Sequence, residues 1–341
     1  MRRKLVRVVA LLTSLLILTS CGAGKGEPGQ TVAAEDIPEI GLCLDSLVVE
    51  RWEKDRDIFI SAATECGAVV NIQNANGDSK KQEEQIEYLI DKNVDIIVIV
   101  AVDSDNLSEE VDKAHKKGIK VIAYDRLIKN ANVDLYISFD NIEVGSLMAQ
   151  SLYAGLGDGA NIVMVNGPTT DNNVSEIEQG FNEYNNGRMN IVDVTYIDGW
   201  KQELAYDYVA DNIDMFEDVD GVMCGNDAIA GQVIKALSTY RIKDDVMVVG
   251  QDAELEACQR IAGGFQDMTV YKPINELAAS AAGYAYDMAC NKPIEYVGKK
   301  YDGTYYVPYI SVGSEAVTAD NMDELIIGSG FHLESDVYMY R

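Results

Sequence analysis

Polar and aromatic side chains stand at the ends of apolar runs along this 341-residue chain. Asp125-Arg126 follows Lys120–Tyr124, Asp171-Asn172-Asn173 comes after Ile162–Val165, and Trp200 follows Val192–Ile197. Asn226-Asp227 follows Gly221–Cys224, Gln251-Asp252 follows Val246–Gly250, and Lys272 closes Met268–Tyr271, while Arg51-Trp52 opens an amphipathic stretch. The set contains carboxylates, amides, guanidinium and ammonium groups, and two indoles. A carboxylate accepts from two vicinal hydroxyls, Arg and Lys donate to ring or hydroxyl oxygens, and an amide does both. Indole faces pack against the C–H face of a pyranose. Such a kit suits recognition of a small polyhydroxylated ligand. Each member also has a plainer role. Asn226 or Asp227 alone fits a helix N-cap, Asp125-Arg126 fits a solvated loop ion pair, Trp52 fits a core and Trp200 fits packing between lobes. Their common place at one end of the sheets is what favours a binding cleft.

The elements that must hold these residues alternate. Short runs rich in Val and Ile, at 40–44, 69–72, 95–100, 120–124 and 135–139, form a first strand series. A second covers 162–165, 192–197, 221–224, 246–250 and 268–271. Between them lie helical patterns: Ile86, Leu89 and Ile90 share a face over 82–92, and Val144, Leu147, Met148 and Leu152 share one over 141–156. Continuous apolar strands separated by helices predict parallel sheets buried on both faces. The fold class is therefore α/β, with two doubly wound parallel-sheet lobes, and ligands of such sheets bind beyond the C-terminal strand ends. The first series breaks at Ser138-Phe139-Asp140-Asn141, a first crossing between lobes. Tyr271-Lys272-Pro273-Ile274 is a second, since proline ends strand pairing, and Tyr305–Ile310 is a third. The expected lobes are 37–139 plus 273–300, and 140–272 plus 301–341, joined by a three-stranded hinge.

The N-terminus reads as a targeting segment. Arg2, Arg3, Lys4 and Arg7 precede an apolar run from Val8 to Leu18 and then Leu18-Thr19-Ser20-Cys21. Eleven residues of helix rise about 16 Å, roughly half a bilayer core, which is short for a spanning anchor. Residues 1–20 are read as a lipoprotein signal with Cys21 as the lipidated residue, the alternative being an ordinary secretory signal. Residues 21–36, rich in glycine, form a flexible tether. This places the chain outside the cytoplasm, anchored to the cell membrane by lipid.

Composition removes several classes. The chain carries 56 acidic and 28 basic residues, a net charge of −28, and four of the basic residues sit in the leader. Nucleic-acid binders need basic patches, so a phosphate backbone is excluded as partner. The two histidines, His115 and His332, provide no histidine-based triad or metal site, so neither catalytic nor metal residues are assigned. No cofactor is expected: Gly22-Ala23-Gly24-Lys25 superficially matches a phosphate loop, but no strand precedes it. A glycosidase carboxylate pair is set against the bland consequence of so many carboxylates lying near one another. Cys43, Cys66, Cys224, Cys258 and Cys290 are far apart in sequence and mostly within apolar runs, which favours buried free thiols.

Longer stretches resemble a known family. Val49-Glu50-Arg51-Trp52-Glu53-Lys54-Asp55-Arg56-Asp57, Tyr124-Asp125-Arg126, Tyr136-Ile137-Ser138-Phe139-Asp140-Asn141, Gly250-Gln251-Asp252-Ala253 and Met268-Thr269-Val270-Tyr271-Lys272-Pro273-Ile274 are similar to D-xylose-binding proteins. These are type I periplasmic sugar-binding proteins that serve ABC importers. The resemblance runs from about Ile37 to about Ile274. It implies that Arg51, Asp125, Arg126, Asn173, Asn226, Asp252 and Lys272 hydrogen-bond a monosaccharide, xylose favoured, with Trp52 and Trp200 enclosing the ring. It further implies an ABC permease as membrane partner, a sensor histidine kinase or chemoreceptor being the alternative. From about Lys299 the sequence departs from the family, and Pro308-Tyr309-Ile310-Ser311-Val312-Gly313 is not the expected third crossing.

Overall fold

The structure is a computed structural model that describes residues 37–47, 51–242 and 246–338. The expected leader, tether and Cys21 anchor lie outside the described residues.

The first lobe is built in chain order from β1 (Glu39–Leu44), α1 (Arg51–Cys66), β2 (Val69–Asn74), α2 (Ser79–Lys92), β3 (Ile96–Ile99), α3 (Ser108–Lys116), β4 (Lys120–Tyr124) and β5 (Leu135–Phe139). The chain then enters a second lobe of α4 (Asn141–Leu156), β6 (Asn161–Asn166), α5 (Asn172–Asn185), β7 (Asn190–Tyr196), α6 (Glu203–Asp211), α7 (Ile213–Phe216), β8 (Gly221–Cys224), α8 (Asp227–Tyr240), β9 (Met247–Gln251), α9 (Leu255–Ala262) and β10 (Met268–Tyr271). It returns through α10 (Ile274–Ala289), β11 (Gly298–Tyr301) and β12 (Tyr306–Val312) and ends in the second lobe with β13 (Glu315–Val317) and a helical tail.

Both sheets repeat one order. The first runs β11-β12-β5-β4-β3-β1-β2 and the second β13-β10-β9-β8-β6-β7, so each holds a 2-1-3-4-5 parallel core. In that arrangement the connections diverge between the first and third strands, leaving a crevice at their C-terminal ends. The central strands are buried throughout, as their Val and Ile runs require: Ile96 to Ile99 and Gly221 to Cys224 show no exposed position. Each sheet face carries its own apolar cluster. Ile40, Phe59, Val98 and Leu277 pack on one side of the first sheet, and Ile86, Ile97, Val121 and Tyr136 on the other. Val163, Val222 and Val233 stand opposite Met148, Met164 and Phe181 in the second.

The chain passes between sheets three times, at Phe139–Asn141, Tyr271–Ile274 and Val312–Glu315. The third differs from the sequence expectation. The sequence pattern assigns 301–341 to the second lobe, yet β12 pairs in parallel with β5 of the first, Tyr309 opposite Tyr136 and Val312 opposite Phe139. The rings of Tyr136 and Tyr309 stack at 5.0 Å, and Tyr309 Oη donates to the Phe139 carbonyl at 3.1 Å. These contacts hold the strand to the first lobe despite Pro308, so the passage comes at Gly313-Ser314. The cysteines also differ in part. Cys43, Cys224 and Cys258 are buried thiols, but Cys66 and Cys290 are exposed because they sit at the ends of α1 and α10, beyond the packed stripe.

Candidate functional site

Three backbone devices place the side chains. First, strand ends of both sheets face one cleft, delivering Asp125 and Arg126 after β4, Gln251 and Asp252 from the end of β9, and Lys272 after β10. Second, helix N-termini point into the same space. Arg51 and Trp52 open α1, Asp171 caps α5 by accepting from Asn173 N (3.0 Å), and Asn226 caps α8 by accepting from Ile229 N (2.9 Å). Third, Asp125, Trp200 and Asp252 have positive φ values of 64°, 58° and 99°. Non-glycine residues there cost about 1–3 kcal/mol each and persist only where neighbours hold them. For Asp125 the neighbours are explicit: its N–H donates to Ile137 O (2.8 Å), and its carbonyl accepts from Ser138 Oγ (2.5 Å) and Tyr136 Oη (3.2 Å).

The charged groups alternate in sign across the cleft. Arg51 Nη2 lies 2.6 Å from Asp125 Oδ2, and its Nη1 lies 3.5 Å from Asp252 Oδ1. Lys272 Nζ contacts that Asp252 oxygen at 2.6 Å and donates to Gln251 Oε1 at 2.9 Å. Arg126 is held between Asp45 and Asp171, each at 2.7 Å, and donates to the Ala101 carbonyl at 2.8 Å. Asn173 Nδ2 donates to Asp125 Oδ1 at 3.0 Å. All these residues are nearly inaccessible. Burial alone would raise the Asp125 pKa; the charges of Arg51, Lys272 and Arg126 outweigh it and hold that carboxyl below the usual range. For Asp171 burial prevails over Arg126 and the pKa is raised.

About 380 Å³ of space lies among these residues, open solvent at the mouth included. Several lining atoms have no protein partner among the described residues: Asn141 Nδ2, Asn173 Oδ1 and Trp200 Nε1 are buried without a hydrogen bond. A buried polar atom left unpaired costs about 1–3 kcal/mol, so the pocket favours a guest dense in hydroxyls. The indoles bound it on two sides. Trp52 is buried edge-on to Tyr124 with the Arg51 guanidinium 4.3 Å from its ring centre. Trp200 packs against clusters of both lobes, and its ring lies over Gly167, where an added Cβ would come within 2.2 Å.

The structure thus brings Arg51, Trp52, Asp125, Arg126, Asn173, Trp200, Asn226, Asp252 and Lys272 around one cavity. The plainer roles resolve separately. Asn226 is a helix cap as well as a lining residue, whereas Asp227 is the first residue of α8, does not cap it, and is buried outside the cavity lining. Arg126 does not pair with its neighbour Asp125 in a solvated loop but reaches Asp45 and Asp171. Asp171 and Gln251, part of the strand-end set but not among the nine assigned positions, also line the cavity; missed were Asn141 and Ile177 in the lining, and Asp45 and Asp55, which hold Arg126 and Arg51 from behind. Asp45 carries the strand-end signal used for the others.

Residues 40–293 match the model of the periplasmic binding protein domain. The chain belongs to this family. Within it, the chain is 40% identical over 306 residues to the D-xylose-binding periplasmic protein of Haemophilus influenzae, covering 88% of this chain and 92% of that one. It is 36% identical to the D-xylose-binding periplasmic protein of Escherichia coli, across 98% of this chain and all of the other. A crystal structure of an ABC transporter solute-binding protein from Clostridium phytofermentans, with bound β-D-glucose, superposes with a TM-score of 0.82 at 27% identity, covering 88% of this chain and 99% of that one. The two-lobe frame of this chain and its three crossings are the scaffold, and the strand-end and helix-start residues described above are what it places inside it.

Proposed function

We propose that this chain binds D-xylose, or a closely related monosaccharide, between its lobes outside the cytoplasm and hands it unchanged to an ABC importer. The observation that carries the reading is the buried cavity whose acceptors and donors come from both lobes: Asp125 and Arg51 on one side, Asp252, Lys272 and Asn173 on the other. The two D-xylose-binding relatives support the pentose, and the solute-binding protein from Clostridium supports an importer over a sensor kinase. Asp125 and Asp252 each face a cation within 2.6 Å, which suits them to accepting hydroxyl protons as hydrogen bonds and ill suits them to acid catalysis. Hinge closure on the sugar is the signal a permease would read. A lipid on Cys21, supported by the leader pattern, would keep the protein at the membrane; Cys21→Ser should release it or leave it unprocessed, and unchanged retention and mass would refute the anchor.

A ligand that binds only the folded, closed form stabilises it by RT ln(1 + [L]/Kd), about 4 kcal/mol at a thousandfold excess over Kd. A thermal-shift panel of pentoses and hexoses should therefore show a rise of several degrees with D-xylose and smaller rises with ribose and galactose. Equal shifts with all three would remove the xylose assignment and leave the sugar clamp. No shift with any sugar would remove the whole reading.

A further inference from the structure

The turn that carries Asp252 is held from outside the cavity. Asp252 and the next residue, Ala253, both have positive φ, 99° and 50°. Two successive non-glycine residues in that region need strong external support, and it comes from a chain of buried hydrogen bonds. The Ala253 N–H donates to Thr269 Oγ1 (3.1 Å), and that hydroxyl donates to Asp227 Oδ2 (2.7 Å). The same Asp227 oxygen accepts the Glu254 N–H at 3.1 Å. Asp227 is itself fixed: its Oδ1 accepts from Gln266 Nε2 (2.8 Å), and its carbonyl accepts from Arg260 Nη2 (2.8 Å). Gly250 leaves the room this carboxylate needs, since a Cβ there would lie 2.3 Å from Asp227 Oδ1. Asp227 and Thr269 are fully buried and neither lines the cavity. A buried carboxylate is costly and is readily replaced by apolar side chains where only packing is required. Here Oδ2 reaches the turn that aims Asp252 by two routes, directly through the Glu254 N–H and through Thr269, whose hydroxyl accepts the Ala253 N–H.

We propose that Asp227 and Thr269 are positioning residues for sugar binding: together they set the left-handed turn at Asp252–Ala253 that directs the Asp252 carboxylate into the cleft, onto Lys272 and toward Arg51. This rests on the sugar-binding reading above. Neither residue touches the ligand, and both act through Asp252.

The test is a mutant cycle read by calorimetric titration with D-xylose, each variant first checked for an intact fold by circular dichroism. Thr269→Val keeps shape and removes the hydroxyl; one buried hydrogen bond corresponds to about a tenfold loss of affinity. Thr269→Ser, which restores the hydroxyl, should bind within about twofold of wild type on the same scale. Asp227→Asn gives a second route to the loss should the valine variant misfold. In an Asp252→Ala background, neither change should weaken binding further, because the group they position is gone. Wild-type affinity in both Thr269→Val and Asp227→Asn, or the same fold-loss with and without Asp252, would overturn the proposal. A wild-type chain that binds no sugar of the panel would instead overturn the reading on which it rests.

Discussion

Asp125 and Asp252 take corresponding places at the two strand ends, and each is shared between a cation and the cavity. Truncating either leaves a buried cation and a ligand hydroxyl short of an acceptor. Hydrogen bonds to charged groups are worth about 1.5–3 kcal/mol, so Asp125→Ala and Asp252→Ala should each weaken D-xylose binding at least about tenfold, measured by titration on variants with an intact fold. Behind the cavity, Asp55 offers a pH test. Burial pushes its carboxyl up to about 6, against the pull of Arg51 and of the Tyr124 hydroxyl, which donates to Oδ1; Oδ2 has no hydrogen-bond partner among the described residues. The folded chain therefore holds this proton more tightly than the unfolded one. The stabilisation is full below the ordinary carboxyl pKa and is lost as pH rises through about 6. Relative to Asp55→Asn, the wild-type melting temperature should fall between about pH 4 and pH 6 and run parallel above about pH 7; a constant difference would contradict the assignment. Strand-end residues were legible because buried parallel strands announce their own ends. The division of labour among neighbours was not: Asp171 and Asn173 lie on one turn, yet one caps α5 and holds Arg126 while the other reaches Asp125. Asn141 read as the end of the first crossing and the start of a helix, and neither role assigns its side chain to the cavity.

Helices α4 and α5 cross closely enough to exclude any side chain at two points. A Cβ on Gly145 would meet the Ile177 carbonyl at 1.9 Å, and one on Gly180 would meet that of Ile142 at the same distance. These two helices bring Asn141 and Asn173 to the cavity from their first turns. Gly145→Ala must push the pair apart, and overpacking typically costs about 1–3 kcal/mol; denaturant unfolding should show a loss of that size together with weaker sugar binding. Gly167→Ala acts on a smaller unit, forcing the Trp200 ring off the strand end, and should weaken binding with less effect on stability. Quenching or a shift of Trp200 fluorescence on adding sugar would be reduced in that variant. Most strands and the span of α4 were readable from their apolar patterns. The third crossing was misplaced because β12 lacks the continuous burial of the central strands, having exposed and half-buried positions along most of its length, and contains Pro308. Its membership in the first sheet depends on a distant partner, β5, which local pattern does not reveal.

At the scale of the whole molecule, the lobes are joined by bonds that need no ligand. Ser104 N donates to Thr170 O (3.0 Å), Asn172 N donates to Ser104 Oγ (3.2 Å), and Lys300 lies 3.0 Å from Glu176. Together with Arg126–Asp171, these contacts describe a closed clamp. A ligand's apparent affinity falls with the population of the competent state, so loosening closure should weaken binding without touching the sugar. Lys300 and Glu176 lie outside the cavity lining. A partly exposed pair is worth at most about 1 kcal/mol, so Lys300→Ala should cost no more than about fivefold in affinity and should raise the salt independence of binding. Isothermal titration of the wild-type protein with D-xylose decides whether this clamp encloses one pentose. Saturable heat at one sugar per chain is expected, with D-ribose and D-galactose binding more weakly. An absence of heat with D-xylose, confirmed by an unchanged melting temperature, would contradict pentose enclosure.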